Sequence, residues 1–274
     1  MMISIVVACL HAQGKLIETL ESVQKQSFSD YEVVIKDGLS KDDTIALFEG
    51  WIEKQPQDFK EKVKLFEEAD TSIYDGMNQA VAHASGEYVY FLNCGDTFYE
   101  PESLAKLMDG IRESNASLLF YGNVYDMIRK SVVQSNPNID AFACYRHVPC
   151  HQSCVYHRSL FAERGYYPEY RVRADYDHFL YSFFTRKAKP TYVDVILASY
   201  EGGGFSETAE NIKKSQKEHA IITSTYMTSA QIKKYKFIML ISLQPIRTRM
   251  AESKLFGKVY QLLKKTLYHS RGAA

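Results

Sequence analysis

The chain has 274 residues, of which 46% are hydrophobic and 13% aromatic, enough apolar side chain for one domain of roughly 200–250 residues and an appendage. No apolar run of about 18 residues occurs, which excludes a conventional membrane-spanning helix. The start lacks a charged region and a cleavage site, so we expect no signal peptide. Five cysteines, an odd number, fit a reducing cytoplasm.

The 33 basic and 33 acidic residues balance overall but are unevenly distributed. Residues 213–274 hold 13 basic and two acidic residues, whereas residues 1–212 hold 20 basic and 31 acidic ones. This asymmetry predicts a body over 1–212 and a basic extension over 213–274. It also indicates a surface partner for the extension: anionic lipid, nucleic acid, or the acidic body of a neighbouring copy.

Strands and helices alternate along the body. Apolar, β-branched runs predict strands over 3–9, 31–35, 63–66 and 88–92, and helical spacing predicts helices over 14–26, 44–54 and between Ser72 and Gly86. Further strands are predicted near 118–124 and 192–197, with helices over 176–184 and 209–223. This alternation predicts an α/β fold whose mostly parallel sheet has helices on both faces.

Three acids, Asp37, Asp70 and Asp96, lie within four residues after the ends of predicted strands. Right-handed crossovers bring the carboxyl ends of parallel strands to one edge, so we expect these acids to share a crevice. The alternative is that each acid only stabilises a turn, as aspartate commonly does. Likewise, Asp75 follows Ser72 by three residues and is either a helix-capping residue or a ligand-binding one.

Three ordered segments resemble those of family 2 glycosyltransferases: DGLSKDDT at 37–44, DTSIYDGMNQA at 70–80 and FLNCGD at 91–96. The resemblance covers roughly residues 3–220 and implies the GT-A nucleotide-sugar fold, a Rossmann-like α/β architecture. It implies that Asp37 hydrogen-bonds the uracil or ribose of a UDP-sugar. It also implies that Asp70, Asp75 and Asn78 lie close to the nucleotide or sugar, where a helix N-terminus offers free N–H groups.

By the same resemblance, Asn93 faces the donor and Asp96 ligates Mn²⁺ or Mg²⁺ on the diphosphate. Hard oxygen ligands suit these ions, and the metal neutralises charge on the leaving diphosphate. The commoner family motif is Asp-x-Asp-Asp, and here Asn93 and Gly95 stand where acids are usual. One carboxylate is therefore left to hold the metal.

The segment Pro149–Ser153 resembles the family's His-Gln-Ser segment, which implies that His151 and Gln152 line the sugar pocket. One alternative is that these are buried polar residues tying down a loop. Another is a zinc site, although the spacing does not match the common ligand pairs. Its ligands would come from Cys144, His147, Cys150, His151, Cys154 and His157.

The segment Arg171–Asp177 resembles the family's Glu-Asp-x-Asp motif, with Ala174 where the glutamate is usual. The resemblance implies that Asp175 is the catalytic base that deprotonates the acceptor hydroxyl in an inverting transfer. Asp177 is the second candidate, and simple helix capping is the alternative for Asp175.

The end of the chain carries two further features. The segment Glu201–Ser206 resembles a Gly-Gly-x-Ser loop, interpreted as a lid or a flexible linker. From Ser229 onward, apolar residues at helical spacing alternate with lysines, which predicts basic amphipathic helices. Such helices lie on an anionic membrane surface or pack on the body or a second subunit of a homo-oligomer. No nucleic-acid-binding motif accompanies them.

The resemblance to family 2 glycosyltransferases implies a metal-dependent inverting glycosyltransferase. It would move a hexose or N-acetylhexosamine from a UDP-sugar to a hydroxyl of a lipid-linked glycan in bacterial surface polysaccharide synthesis. We expect it in the cytoplasm, with peripheral attachment to the inner face of the membrane. The alternative is a non-catalytic nucleotide-sugar-binding scaffold of the same fold. The sugar and the acceptor are not readable, because specificity lies in loops that vary within a fold.

Overall fold

The computed structural model describes residues 1–114, 117–202 and 208–241, which fold around one mixed β-sheet. In chain order its strands are β1 Ile3–Cys9, β2 Tyr31–Asp37, β3 Val63–Glu67, β4 Tyr88–Phe91, β5 Thr97–Phe98, β6 Leu119–Asp126, β7 Ser131–Val133, β8 Cys154–His157 and β9 Pro190–Tyr200.

The α-helices flank this sheet. They are α1 Gln13–Gln24, α2 Thr44–Ile52, α3 Gln57–Lys60, α4 Ile73–His83, α5 Ser103–Glu113, α6 Ala141–Arg146, α7 Ala174–Leu180, α8 Ala209–Tyr226 and α9 Ser229–Ile241. Short 3₁₀ turns cover His151–Ser153 and Arg158–Leu160, and α7 continues as a π-helical turn over Tyr181–Thr185.

The strand order is β3-β2-β1-β4-β8-β6-β9-β5, with β7 beside β6. The first four of these strands are mutually parallel, because helical crossovers connect them in sequence. Strand β8 runs antiparallel between β4 and β6, and β5 runs antiparallel along β9. The carboxyl ends of β1, β2, β3 and β4 therefore share one edge, where the predicted acids emerge.

Helices cover both faces of the sheet, which explains the continuous apolar runs of its central strands. In β1, Ile3, Ile5 and Val7 join the cluster that includes α1 and α5. Val6 and Ala8 point the other way, into the cluster that includes α4 and α7. The predicted α/β class with helices on both faces is confirmed.

Two features differ from the predicted elements. Helices α3, α5 and α6 and the antiparallel strands β5 and β7 were not predicted. The two strands are two and three residues long, too short to show a period in sequence. The predicted helix over 176–184 begins two residues earlier, at Ala174. The first turn of α7 therefore includes Asp175.

The predicted boundary between residues 212 and 213 lies inside α8. Ile222 of α8 is fully buried, and Tyr235 of α9 packs on Tyr145 and Phe142 with ring centroids 5.5 and 5.3 Å apart. Both helices thus pack on the body. The remainder of the predicted extension, residues 242–274, and the predicted lid residues 203–206 lie outside the described residues.

Candidate active site

The N-terminus of α4 is the centre of the candidate site. Ser72 caps it by accepting a hydrogen bond from the Asp75 backbone N–H at 3.2 Å. The Asp75 carboxylate reaches back to accept from the N–H and hydroxyl of Thr71, both at 2.9 Å. The Ser72 bond is the cap that the sequence predicts, whereas the Asp75 carboxylate binds Thr71, one residue before the cap, and not the Ser72 N–H of a complete capping box. A role for Asp75 in donor binding stays a prediction.

Asp37 ends β2 and is fully buried. Its carboxylate accepts from the backbone N–H of Ser40 at 2.6 Å and from the Ser40 hydroxyl at 2.5 Å. These bonds hold the turn that follows the strand. The Cys9 thiol also lies 3.5 Å from Asp37 Oδ1. A role for Asp37 in binding a base or ribose stays a prediction.

Asp70 lies beside this turn in an ion pair with Lys36, a contact that the sequence analysis missed. The Lys36 side chain is 0% exposed and that of Asp70 is 12% exposed. A Cβ atom added to Gly38 would lie 2.7 Å from Asp70 Oδ2, and one added to Gly76 would lie 3.1 Å away. Glycines at these positions therefore let the carboxylate pack between the β2 turn and α4.

Asp96 follows β4 and is 4% exposed, as is Gln152. Gln152 Nε2 donates to Asp96 Oδ2 at 3.0 Å, and the backbone N–H of Glu201 donates to Oδ1, also at 3.0 Å. Burial raises the pKa of Asp96 above its usual value, against these donated bonds. The adjacent Gly95 has a φ of 95°, a left-handed conformation that favours glycine, and lies in the turn closed by the Asp96 N–H and the Asn93 carbonyl.

His151 connects the Asn93–Asp96 turn to Asp175. Asn93 Nδ2 lies 3.1 Å from one ring nitrogen of His151, Nε2, and the other ring nitrogen is Nδ1. That Nδ1 lies 3.9 Å from Asp175 Oδ2. Asp175 Oδ1 accepts from the Tyr74 hydroxyl at 3.0 Å, and its side chain is 29% exposed. The carboxylate is therefore held in place and still reachable by an acceptor.

Asp177, the second candidate base, lies in a different environment. It is 1% exposed, forms an ion pair with Arg164 and accepts from the Tyr226 hydroxyl at 3.0 Å. Burial raises the pKa of Asp177, opposing the effect of these partners. An acceptor hydroxyl cannot reach a carboxylate enclosed in this way, so the geometry favours Asp175.

Asn78 points away from this network. Its amide nitrogen donates to the Tyr166 carbonyl, and its amide oxygen accepts from the Tyr166 N–H, both at 2.8 Å. The reciprocal pair fastens α4 to the chain that precedes α7. A donor-binding role for Asn78 stays a prediction, but the side chain is already paired at both ends.

The zinc interpretation is wrong for the part of the chain that the structure covers, because no group of three or more His, Cys, Asp or Glu side chains there is arranged to hold a metal. The five cysteines are free thiols. His157 pairs with the Ser159 hydroxyl at 2.7 Å, and burial raises the pKa of Cys150 to about 12.

The oxygen donors of the Asn93–Asp96 turn are of the kind that suits a hard divalent cation. Among the described residues, the buried amide oxygen of Asn93 has no hydrogen-bond partner, which leaves an orphaned oxygen donor in the turn that carries Asp96. Mg²⁺ is commonly bound by one or two carboxylates, with substrate phosphates and waters completing the shell. One carboxylate and one carbonyl-type oxygen match that pattern.

Comparison with known proteins shows which family the chain belongs to. The model of glycosyl transferase family 2 matches residues 4–165. The chain is 32% identical over 209 residues to a PGL/p-HBAD biosynthesis glycosyltransferase of Mycobacterium bovis, covering 76% of this chain and 80% of that protein. It is 21% identical over 251 residues to a chondroitin synthase of Escherichia coli, covering 90% of this chain and 35% of that protein.

Solved structures share the fold. S. aureus TarS 1-349 superposes with a TM-score of 0.63 at 19% identity, covering 81% of this chain and 65% of that chain, less than two thirds of its length. The same protein was solved in complex with UDP-GlcNAc, with a TM-score of 0.62 at 18% identity, covering 81% of this chain and 66% of that one. A mannosyltransferase from Pyrobaculum calidifontis in complex with GDP-Man and Mn²⁺ matches with a TM-score of 0.56 at 13% identity, covering 98% and 85%.

Proposed function

Because the chain belongs to glycosyl transferase family 2 and is a glycosyltransferase, we propose that it is a metal-dependent inverting enzyme of the GT-A type. It moves a hexose or N-acetylhexosamine from a UDP-sugar to a hydroxyl of a lipid-linked glycan in surface polysaccharide synthesis. The observation that carries the proposal is the partly exposed Asp175 carboxylate, which faces the Asn93–Asp96 turn across His151.

In this proposal Asp175 takes the proton of the acceptor hydroxyl as that oxygen attacks the anomeric carbon. The bond from the anomeric carbon to the diphosphate oxygen breaks, and UDP leaves with the bonding electron pair. Tyr74 holds one carboxylate oxygen by a 3.0 Å hydrogen bond, and His151 faces the other. One displacement inverts the anomeric centre and needs no covalent intermediate.

The donor is proposed to bind along the edge where β1, β2 and β4 end. Asp37 and the N-terminus of α4 face the nucleoside and diphosphate, since unpaired helix N–H groups attract anionic oxygens. UDP is favoured because TarS was solved with UDP-GlcNAc, although the mannosyltransferase was solved with GDP-Man. Gln152, which holds Asp96, and His151 then border the sugar.

Asp96 and the Asn93 amide oxygen would hold Mn²⁺ or Mg²⁺. When bound, such an ion supplies electrostatic stabilisation of the leaving diphosphate. The protein's own contribution is to hold Asp96 by two donated hydrogen bonds at 3.0 Å.

A thermal-shift titration with UDP, GDP and CDP tests the donor site, each with Mn²⁺ and with EDTA, on the wild type and on Asp96→Ala. Ligand binding raises the melting temperature by mass action, so no acceptor is needed. We expect a UDP shift that requires Mn²⁺ and disappears in the variant. A UDP-induced shift of equal size in EDTA would contradict the metal dependence of binding. No melting-temperature shift with UDP would contradict the proposal that the donor is a UDP-sugar.

Release of UDP from UDP-glucose, UDP-galactose and UDP-GlcNAc, with water or a lipid-linked glycan extract as acceptor, tests catalysis. The scaffold alternative predicts UDP binding without release of UDP from any sugar. We expect Asp175→Asn to bind UDP as the wild type does and to lose at least about 100-fold in turnover, as for a removed general base. Wild-type turnover in Asp175→Asn would refute the assignment.

We further propose that the protein works in the cytoplasm and docks on the inner face of the membrane through α9. Three apolar side chains of α9 are strongly exposed, Phe237 at 62%, Leu240 at 71% and Ile241 at 61%. Exposed lysines at positions 233, 234 and 236 accompany them, and the helix contains no acid. Apolar and cationic side chains on one helix surface suit an anionic lipid surface. Among the described residues, no helix is both long and apolar enough to span a bilayer.

Flotation of the full chain with phosphatidylcholine vesicles, with and without phosphatidylglycerol, tests this surface. We expect binding to the anionic vesicles and its loss in Phe237→Ser/Leu240→Ser. Ile212→Ser/Ile221→Ser is the matched control, because these α8 side chains are also exposed, at 49% and 54%. Equal loss of vesicle binding in both variants would contradict the membrane proposal. A concentration-dependent dimer that the α9 substitutions abolish would also contradict it and would favour a homo-oligomer.

A further inference from the structure

Glu218 of α8 lies against the backbone that leads into α7. Its carboxylate accepts from the N–H groups of Arg171 at 2.9 Å, Val172 at 3.1 Å and Arg173 at 2.9 Å. Arg173 is the N-cap residue of α7 and makes no side-chain capping bond. A negative charge near a helix N-terminus is favourable, so Glu218 supplies from another helix what the local sequence lacks.

Further contacts of α8 hold the same region. Arg173 Nε donates to the Ser215 hydroxyl at 2.7 Å and to its carbonyl at 3.0 Å. The His219 ring stacks on Tyr176 with centroids 5.3 Å apart. These contacts bracket Asp175 on both sides along the chain, since Arg173 precedes it and Tyr176 follows it.

The held segment also connects to the base itself. The Val172 carbonyl accepts from the Tyr74 hydroxyl at 2.9 Å, and the same hydroxyl lies 3.0 Å from Asp175 Oδ1. A displacement of the backbone at Val172 would therefore move both the start of α7 and the phenol that orients the carboxylate.

We propose that Glu218 is a positioning residue for catalysis, and that α8 is part of the active site rather than of a separable extension. The inference rests on the proposed role of Asp175 as base. Reacting groups tolerate only small misplacement, and an error near 1 Å can cost about 100-fold in rate. Glu218 acts by fixing the backbone from which Asp175 projects.

The test uses the full chain, with Glu218→Ala and the milder Glu218→Gln. Two quantities are measured: UDP release from UDP-GlcNAc, or from whichever of the three UDP-sugars the wild type turns over, and the fraction of chains that bind UDP with Mn²⁺ by calorimetry. We expect kcat per UDP-binding chain to fall about 10- to 100-fold in Glu218→Ala. The donor KM and the binding fraction should not change, because Glu218 contacts neither Asp37 nor Asp96 in the described structure.

The kcat of Glu218→Gln should lie between those of the wild type and Glu218→Ala, because glutamine keeps one oxygen acceptor but loses the charge. The matched control is Glu210→Ala on the same helix, whose 77% exposed carboxylate pairs with Lys214 at 2.7 Å and should leave kcat unchanged.

Two outcomes would overturn the inference. One is an unchanged kcat per UDP-binding chain in Glu218→Ala. The other is a parallel fall of binding fraction and turnover, which would mean that Glu218 serves folding alone. Failure of the base assignment looks different, because Asp175→Asn would then keep wild-type turnover whatever the Glu218 variants do.

Discussion

The buried pair of Lys36 and Asp70 offers a test that separates a structural role of Asp70 from a donor-binding one. The Lys36 side chain is 0% exposed, so Asp70→Asn leaves an ammonium group without its counter-charge in the interior. Removing one partner of a buried ion pair costs about 3–5 kcal/mol. At about 2–4 °C per kcal/mol for a chain of this size, the melting temperature should fall by about 6–20 °C.

Lys36→Met should cost a similar amount, because it strands the Asp70 carboxylate. The double variant Lys36→Met/Asp70→Asn removes both charges and fills the space with an apolar chain of similar length. Replacing both partners of a buried pair is often close to neutral, so we expect the double variant to recover most of the lost stability. Urea denaturation of the four proteins gives the coupling free energy, expected to exceed about 2 kcal/mol.

The double variant then reports on function, because its stability is restored while the carboxylate is gone. If Asp70 contacts the donor, the UDP-induced rise in melting temperature should be lost in this stable protein. If the rise persists, Asp70 serves only the fold. A cost below about 1 kcal/mol for Asp70→Asn, or a double variant as unstable as the sum of the singles, would refute the energetic reasoning.

Three further outcomes are expected. Burial alone would raise the pKa of Glu32, but hydrogen bonds led by that from Lys64 outweigh it and lower the pKa from 4.5 to about 2. Glu32 should therefore contribute about 2–3 kcal/mol above pH 4.5, lost as the pH falls towards 2, and Glu32→Gln should flatten the urea midpoint against pH. Gly165→Ala should cost about 1–3 kcal/mol by denaturation, because its Cβ would collide with the Asn78 amide. Replacing Cys150 and Cys154 by alanine should leave the zinc content, measured by mass spectrometry, unchanged at background.

Each of these three predictions can be contradicted by a specific result. The Glu32 reasoning fails if the wild type and Glu32→Gln lose stability in parallel between pH 5 and pH 2.5. Gly14→Ala is the control for Gly165→Ala, because its Cβ would have no neighbour within 4 Å, and equal effects would contradict the packing argument. Stoichiometric zinc that leaves with the cysteines would restore the zinc interpretation.

The alternating strands and helices of the core were predictable from the sequence alone. The strand from Ile3 to Cys9 was predicted to the residue, because helices on both faces require a continuous apolar run. The capping pair Ser72 and Asp75 was also readable, since helix caps depend on residues three apart in sequence. The edge of the sheet that carries the acids followed from strand parallelism alone.

The partners of these residues became visible only in the folded chain. Nothing local indicates that Lys36 pairs with Asp70, that His151 lies between Asn93 and Asp175, or that Asp177 is enclosed by Arg164. Such contacts join residues far apart in the chain, and they depend on how strands and helices pack.

The role of α8 shows this most clearly. Its composition and basic charge indicated a separate extension beginning at residue 213. In the fold, Glu218 binds three backbone N–H groups 45 to 47 residues away, at the entrance to the helix of Asp175. The sequence does not show which backbone N–H groups the Glu218 carboxylate will meet, because almost every residue carries such a donor. Only folding selects the three that it meets.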